Sequence, residues 1–168
     1  MVPEATLEDG VPRTDGWFVV NARDARWQYN EMGWYCNFEG DDGVGFEQLG
    51  INLNVLPPGS PMAMYHEEPG QEDFLVLRGE CVLIVEGEER PLRQWDFVHC
   101  PPQTKHTIVG AGSGPSLVLA VGARKGNATY PYDETAARYG AGVESEGQHP
   151  RDAYARYGEL ETVPAPEL

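Results

Sequence analysis

The strongest constraint on this chain is its punctuation. From Phe46 to Val121, short apolar runs are cut by glycine or proline turns, and helical periodicity is absent until after Gly126. Ile51, Leu53 and Val55 share one face of the first clear run, with Asn52 and Asn54 on the other. Pro57 to Pro61 breaks that run. Met62, Met64, His66 and Glu68 then share one face of the next, with Ala63, Tyr65 and Glu67 opposite. Pro69-Gly70 turns the chain, and further strands are expected over 73–77, 81–85, 96–100, 107–109 and 116–121. Strands this short, with turn signals about every 8–12 residues, predict an all-β barrel or sandwich.

The flanks read differently. Residues 1–15 are acidic and carry Pro3, Gly10 and Pro12, which predicts a flexible arm, and Trp17 to Val20 reads as a first strand. Trp27, Tyr29, Trp34, Tyr35 and Phe38 form an aromatic cluster suited to covering one end of a barrel or forming a subunit interface. Residues 39–43 are a turn cluster. Two short helices are expected, Asp133 to Tyr139 and Pro150 to Tyr157, each opened by Asp or Pro and stopped by Gly140 or Gly158. The tetrapeptide Ala-Arg-Tyr-Gly occurs at 137–140 and 155–158, too little for an architectural repeat. The last seven residues should be disordered. The expected division is an arm over 1–15, a barrel over 16–125 and a helical C-terminal extension over 126–168.

Charge narrows the partners. A formal net charge of −15 repels phosphate backbones and anionic headgroups, which argues against nucleic acid and membrane surfaces. No apolar run approaches the roughly 20 residues that span a bilayer, and the opening segment does not read as a signal peptide. Cys36, Cys81 and Cys100 are odd in number without CxxC spacing, so a reducing cytoplasm fits better than a disulfide framework.

The chemistry concentrates between Pro58 and Thr107. His66, Glu68 and Glu72 lie within seven residues, and His106 follows behind Pro101-Pro102. On a strand His66 and Glu68 point the same way, about 7 Å apart, and Pro69-Gly70 can fold Glu72 back beside them. Two crowded carboxylates repel unless one is protonated or a cation lies between them. Imidazole and carboxylate donors so gathered suit one divalent metal, with Mn²⁺, Fe²⁺ or Zn²⁺ favoured over Cu(I), and Ni²⁺ or Co²⁺ also accommodated. Glu68 reads as a ligand or as an unligated general base. Met62, Met64, Phe74 and Val76 share faces with these residues and are candidates for the substrate pocket. His99 reads as a surface or outer histidine, His149 as inert, and the cysteines as small apolar residues. No lysine or arginine falls on the strand face that carries the ligands, which argues against a phosphorylated substrate.

These residues resemble the cupin superfamily. Its first motif is similar to Gly-x5-His-x-His-x3/4-Glu-x6-Gly, and this chain has Gly59, six residues, His66-x-Glu68-x3-Glu72-x6-Gly79. Its second resembles Gly-Asp-x4-Pro-x-Gly-x2-His, and this chain has Trp95-Asp96-x4-Pro101-Pro102-Gln103-Thr104-Lys105-His106. Glu68 stands where the family usually has a second histidine. Trp95 and Gln103 replace motif glycines, so those turns lack glycine's freedom at positive φ.

The resemblance implies a double-stranded β-helix, or jelly roll, with a metal in its mouth, and a homodimer. It also implies small-molecule chemistry of dioxygenase, isomerase or lyase type. A non-catalytic sugar or metabolite binder remains the alternative, with a metal-free scaffold behind it.

Overall fold

The computed structural model describes residues 1–41, 43–144 and 149–168. Asp42 of the expected turn and residues 145–148 of the expected extension lie outside them. The alternation becomes strands β1 (Leu7–Glu8), β2 (Val11–Pro12), β3 (Trp27–Asn30), β4 (Gly33–Asn37), β5 (Leu49–Leu56) and β6 (Glu72–Arg78). After them come β7 (Glu80–Val85), β8 (Glu88–Arg93), β9 (Phe97–Cys100), β10 (His106–Ala111), β11 (Ser116–Ala123) and β12 (Glu161–Val163). A seven-stranded sheet, ordered β12-β3-β4-β5-β11-β6-β9, faces a three-stranded sheet ordered β10-β7-β8, and β1 pairs with β2 alone. All these pairings are antiparallel. The fold is the expected all-β jelly roll with short C-terminal helices.

Register decides what faces inward. Asn52 and Asn54 on β5 pair with Ala120 and Val118 on β11, which pair in turn with Phe74 and Val76 on β6. That row meets Cys81, Leu83 and Ile108 of the small sheet in one apolar core with Leu56, Val98 and Cys100. The opposite face of β5 carries Val55 and Leu53, which pack with Trp27, Cys36, Trp34 and Val20 on the outside of the large sheet. The aromatic cluster therefore divides: Trp27 and Trp34 help build this outer layer, whereas Tyr35 pairs with Asn54 on the inner face.

The stretch expected as a strand over 62–68 is instead an extended strap held to β10 by isolated bridges, Pro61 to Val109 and His66 to His106. Its amides are divided between two partners: Met62 and His66 N–H donate to the Ile108 and His106 carbonyls of β10, whereas Tyr65 and Glu67 N–H donate to the Ala141 and Thr129 carbonyls. Face alternation fails here too. Met62 packs on the barrel core, while Met64 is buried with Tyr130, Val143 and Ala153 of the C-terminal segment.

The ends also differ from expectation. In place of a loose arm, the first residues form the β1–β2 hairpin, and Glu4 bridges to Trp17. Trp17 to Val20 forms no strand. In place of a disordered end, β12 adds to the edge of the large sheet by pairing with β3. The two helices form as expected: α1 (Glu134–Arg138), capped by Asp133, and α2 (Pro150–Tyr154), continued by a 3-10 turn over Ala155–Tyr157. Ala136 and Ala141, flanking the end of α1, pack on Tyr65, Ile84 and Val109 behind the small sheet.

At the two turns where glycine is absent, the backbone keeps a glycine-like conformation anyway. Trp95 has φ +75° and Gln103 φ +69°. Left-handed backbone costs a side-chain-bearing residue on the order of 1–2 kcal/mol. Both are tied down by their own amides: Trp95 N–H donates to the Val76 carbonyl and Gln103 N–H to the Glu68 carbonyl, each at 2.7 Å.

Candidate metal centre

Three segments converge at the barrel mouth. Glu72 opens β6, His106 opens β10, and His66 lies on the strap. The backbones of His66 and His106 exchange hydrogen bonds, 3.1 Å and 2.8 Å, so the two rings leave adjacent points of one bridge. Their centroids stand 4.9 Å apart, and Phe74 packs against His106 at 5.3 Å.

The same local device aims both rings. His66 Nδ1 meets the Met64 carbonyl at 2.7 Å, and His106 Nδ1 meets the Thr104 carbonyl at 2.9 Å. A carbonyl only accepts, so each Nδ1 donates and, in a neutral ring, each Nε2 presents a lone pair. Those Nε2 atoms lie 3.3 Å and 3.2 Å from a single oxygen, Oε2 of Glu72. His106 Nε2 and Glu72 Oε2 are buried without a hydrogen-bond partner. Three electron-pair donors thus share one small volume, their donor atoms all within 4.8 Å of one another. This arrangement fits a cation, which supplies the positive charge that a buried carboxylate between two lone pairs lacks.

Without a cation, protons take up that task. Burial pushes the Glu72 carboxyl up, but His106 and His66 outweigh it and hold its pKa at about 2. Burial pushes the His106 imidazolium down, but Cys100, Glu72 and the Thr104 carbonyl outweigh it and raise its pKa to about 10.

Glu68 stands apart from the three-donor group. It lines a cavity of about 380 Å³ together with Glu72, Asn52 and Arg124. Burial, and then the charge of Glu72, raise its pKa above the usual carboxylate value. Of the candidate pocket residues, Met62 lines a smaller cavity of about 160 Å³ beside Tyr35, Asn54 and Tyr154. Phe74 and Val76 form the apolar floor, and Met64 is fully buried away from both cavities. His99 is an exposed histidine whose Nδ1 lies 2.6 Å from Asp73.

Residue-by-residue reading missed several polar groups that line or adjoin these cavities. Asn52 and Asn54 are joined by a 2.7 Å side-chain hydrogen bond on the inner face, Asn54 Nδ2 donating to Asn52 Oδ1. Arg124 continues the inward row of Val118, Ala120 and Gly122 one step beyond β11, so a basic residue does line the same cavity as Glu68 and Glu72. Its parity was the available signal. Tyr130 lies 6.1 Å from the His66 ring and T-stacks on Tyr154, whose hydroxyl accepts from the Met64 amide at 3.1 Å. No local pattern announces the tyrosines, which arrive from more than sixty residues downstream of His66.

Residues 52–122 match the family model described as the cupin domain. An uncharacterized protein of Methanocaldococcus jannaschii is 25% identical over 65 residues, which are 39% of this chain and 52% of that relative. The match thus spans about half that relative's length. A crystal structure named as a sugar phosphate isomerase of the cupin superfamily, from Silicibacter pomeroyi, is 28% identical with a TM-score of 0.50, covering 67% of this chain and 68% of that one. A predicted oxalate decarboxylase from Thermotoga maritima superposes with a TM-score of 0.55 at 21% identity, over 63% of this chain and 98% of that one. The last is a likeness of fold alone.

Proposed function

We propose, from the premise that residues 52–122 are a cupin domain and the chain a member of the cupin superfamily, that it holds one divalent metal and acts on a small oxygenated metabolite. One observation carries this: Nε2 of His66, Nε2 of His106 and Oε2 of Glu72 converge, two of the three buried without a partner. These three residues form the ligand set, with Mn²⁺, Fe²⁺ or Zn²⁺ the best match to nitrogen and oxygen donors. A bound metal would supply Lewis-acid polarisation of a carbonyl or hydroxyl oxygen, or a site for dioxygen.

The chain's own residues do the rest. Met64 and Thr104 carbonyls fix the tautomer and direction of both rings. Glu68, whose carboxyl pKa is raised by burial and by the charge of Glu72 and which lines the same cavity as Glu72, is suited to take or give a proton. Asn52 and the Tyr130 hydroxyl offer orienting contacts. Phe74 and Val76 close the floor against water. Isomerase, lyase and oxygenase chemistries would all use these parts.

The test is elemental analysis beside activity screening. Wild-type protein should carry near-stoichiometric transition metal, and the His66→Ala/His106→Ala double variant should lose it, whereas Glu68→Gln should keep the metal and lose turnover. Loss of metal in Glu68→Gln would make Glu68 a fourth ligand and remove its role as a base. A non-catalytic binder is the second reading, favoured by a cavity lined with amide and guanidinium groups, and it predicts metal and ligand binding without turnover.

A further inference from the structure

The larger cavity holds a cation that the metal reading does not use. Arg124 follows β11 directly, and Glu39 fixes it: the guanidinium's Nη2 meets the two carboxylate oxygens at 2.5 Å and 2.7 Å. Glu39 is the sheltered partner, its side chain 15% exposed against 47% for Arg124. Glu39 also accepts from the Phe46 amide, which holds it in place. Only one of the three guanidinium nitrogens is spent. Among the described residues, Nη1 and Nε of Arg124 make no hydrogen bond, although a guanidinium offers five N–H donors in a planar fork.

The space between Arg124 and the proposed metal ligands is kept open by glycine. Gly50 and Gly122 are directly opposed across the β5–β11 pairing. A Cβ on Gly50 would come within 3.8 Å of the Arg124 Nη2, and one on Gly122 within 3.4 Å of the Glu72 carboxylate. The bare strip therefore runs from the guanidinium to the carboxylate of the metal site. Asn52 lies on the same wall with its oxygen engaged by Asn54, which leaves its NH₂ as the group available to a ligand. Guanidinium and amide together present donors, which select a ligand rich in acceptors.

We infer that Arg124 binds the oxyanion of the substrate, a carboxylate or a phosphate ester, while a second oxygen of the same molecule faces the His66–Glu72–His106 site. The inference rests on the proposed function and narrows its substrate to a small, singly anchored oxyanion. Charge permits this. A divalent metal balances Glu68 and Glu72, and the Arg124–Glu39 pair is neutral but only partly satisfied. Glu39 is a positioning residue here, since it meets Arg124 and a backbone amide.

The test is calorimetric titration of the metal-loaded full chain with lactate, glycerol 3-phosphate and, as an uncharged probe, glycerol. One of the two anions should bind saturably, and whether it is the carboxylate or the phosphate ester identifies the group. Arg124→Gln should weaken that binding about ten- to hundredfold, as loss of a hydrogen bond to a charged group does. Arg124→Lys should recover part of it, and metal content should stay equal in all three proteins. Glu39→Gln should weaken the anion less than Arg124→Gln does. Equal anion affinity in wild type and Arg124→Gln, glycerol binding as tight as the anions, or no saturable anion binding would each overturn the inference. The metal reading fails separately: protein that takes up no metal but binds anion through Arg124 would sink that reading alone. Metal uptake with anion binding indifferent to Arg124 would sink this one alone.

Discussion

The floor and the mouth of the barrel are built on the same strands, yet they follow opposite rules. At the floor, Leu56, Val76, Ile108 and Val118 come from both sheets and are at most 2% exposed. At the mouth, the same rows continue as Asn52, Glu72, Gly122 and Arg124, and a cavity of about 380 Å³ opens. Two residues along a strand change the environment from packed hydrocarbon to converging donors. The difference lies in volume and polarity together. Bulky apolar pairs close the floor, whereas glycines at 50 and 122 leave the mouth bare and allow polar groups to face inward at its rim. The packed core and the candidate site thereby occupy different ends of one set of strands.

The sharpest way to break that division is at the floor. Ile108→Ala should cost about 2–5 kcal/mol in denaturant unfolding, through lost burial and the cavity left behind. Its metal content should remain close to that of wild type. A loss of metal as large as the loss of stability would show that the two ends are not separable.

The mouth should answer to pH instead. In the metal-free protein, Glu72 is lowered from an ordinary 4.5 to about 2, so its contribution is present above pH 4.5 and lost as pH falls toward 2. His106 is raised from 6.5 to about 10, so its contribution is present below pH 6.5 and lost as pH rises toward 10. Both act together between pH 4.5 and 6.5. The destabilisation caused by Glu72→Gln, measured as a Tm difference in chelator, should be largest in that window and shrink on either side. A difference independent of pH would show that the carboxylate and imidazole are not paired.

The smallest effect is expected at the strained turn between β9 and β10. Gln103 holds Glu68 through its backbone amide at φ +69°. Gln103→Gly should therefore stabilise the chain by about 1 kcal/mol, since it relieves left-handed strain while keeping the amide. Lower stability would mean that the Gln103 side chain contributes contacts that outweigh the strain.

Much of this was legible in one dimension because strands report their faces with a period of two. The alternation at Ile51–Val55, the turn residues and the helix stops at Gly140 and Gly158 all translate directly into elements. The spacing of His66, Glu68, Glu72 and His106 singles out four candidate ligands, three of which the structure gathers. The strap over 62–68 was misread because alternation in sequence does not show that a single partner strand exists; its amides are shared between β10 and the C-terminal segment. The two termini were misread for a related reason: β1–β2 and β12 are too short to carry a periodic signal.

What the chain's order of residues settles by itself is local: where backbone can extend, where it must turn, and which side chains share a face. Which face turns inward is a tertiary decision, made by whether a second layer lies there. Val55 and Leu53 share an apolar face in the sequence, and that face packs outside the barrel because the segments around Trp27 and Val163 cover it, while Asn52 and Asn54 face in. The separation of Glu68 from the three-donor group, the arrival of Tyr130 and Tyr154, and the fixing of Arg124 by Glu39 depend on contacts between residues as many as 90 positions apart. Such contacts form only when folding has offset the entropy of closing those loops, and no local pattern encodes them.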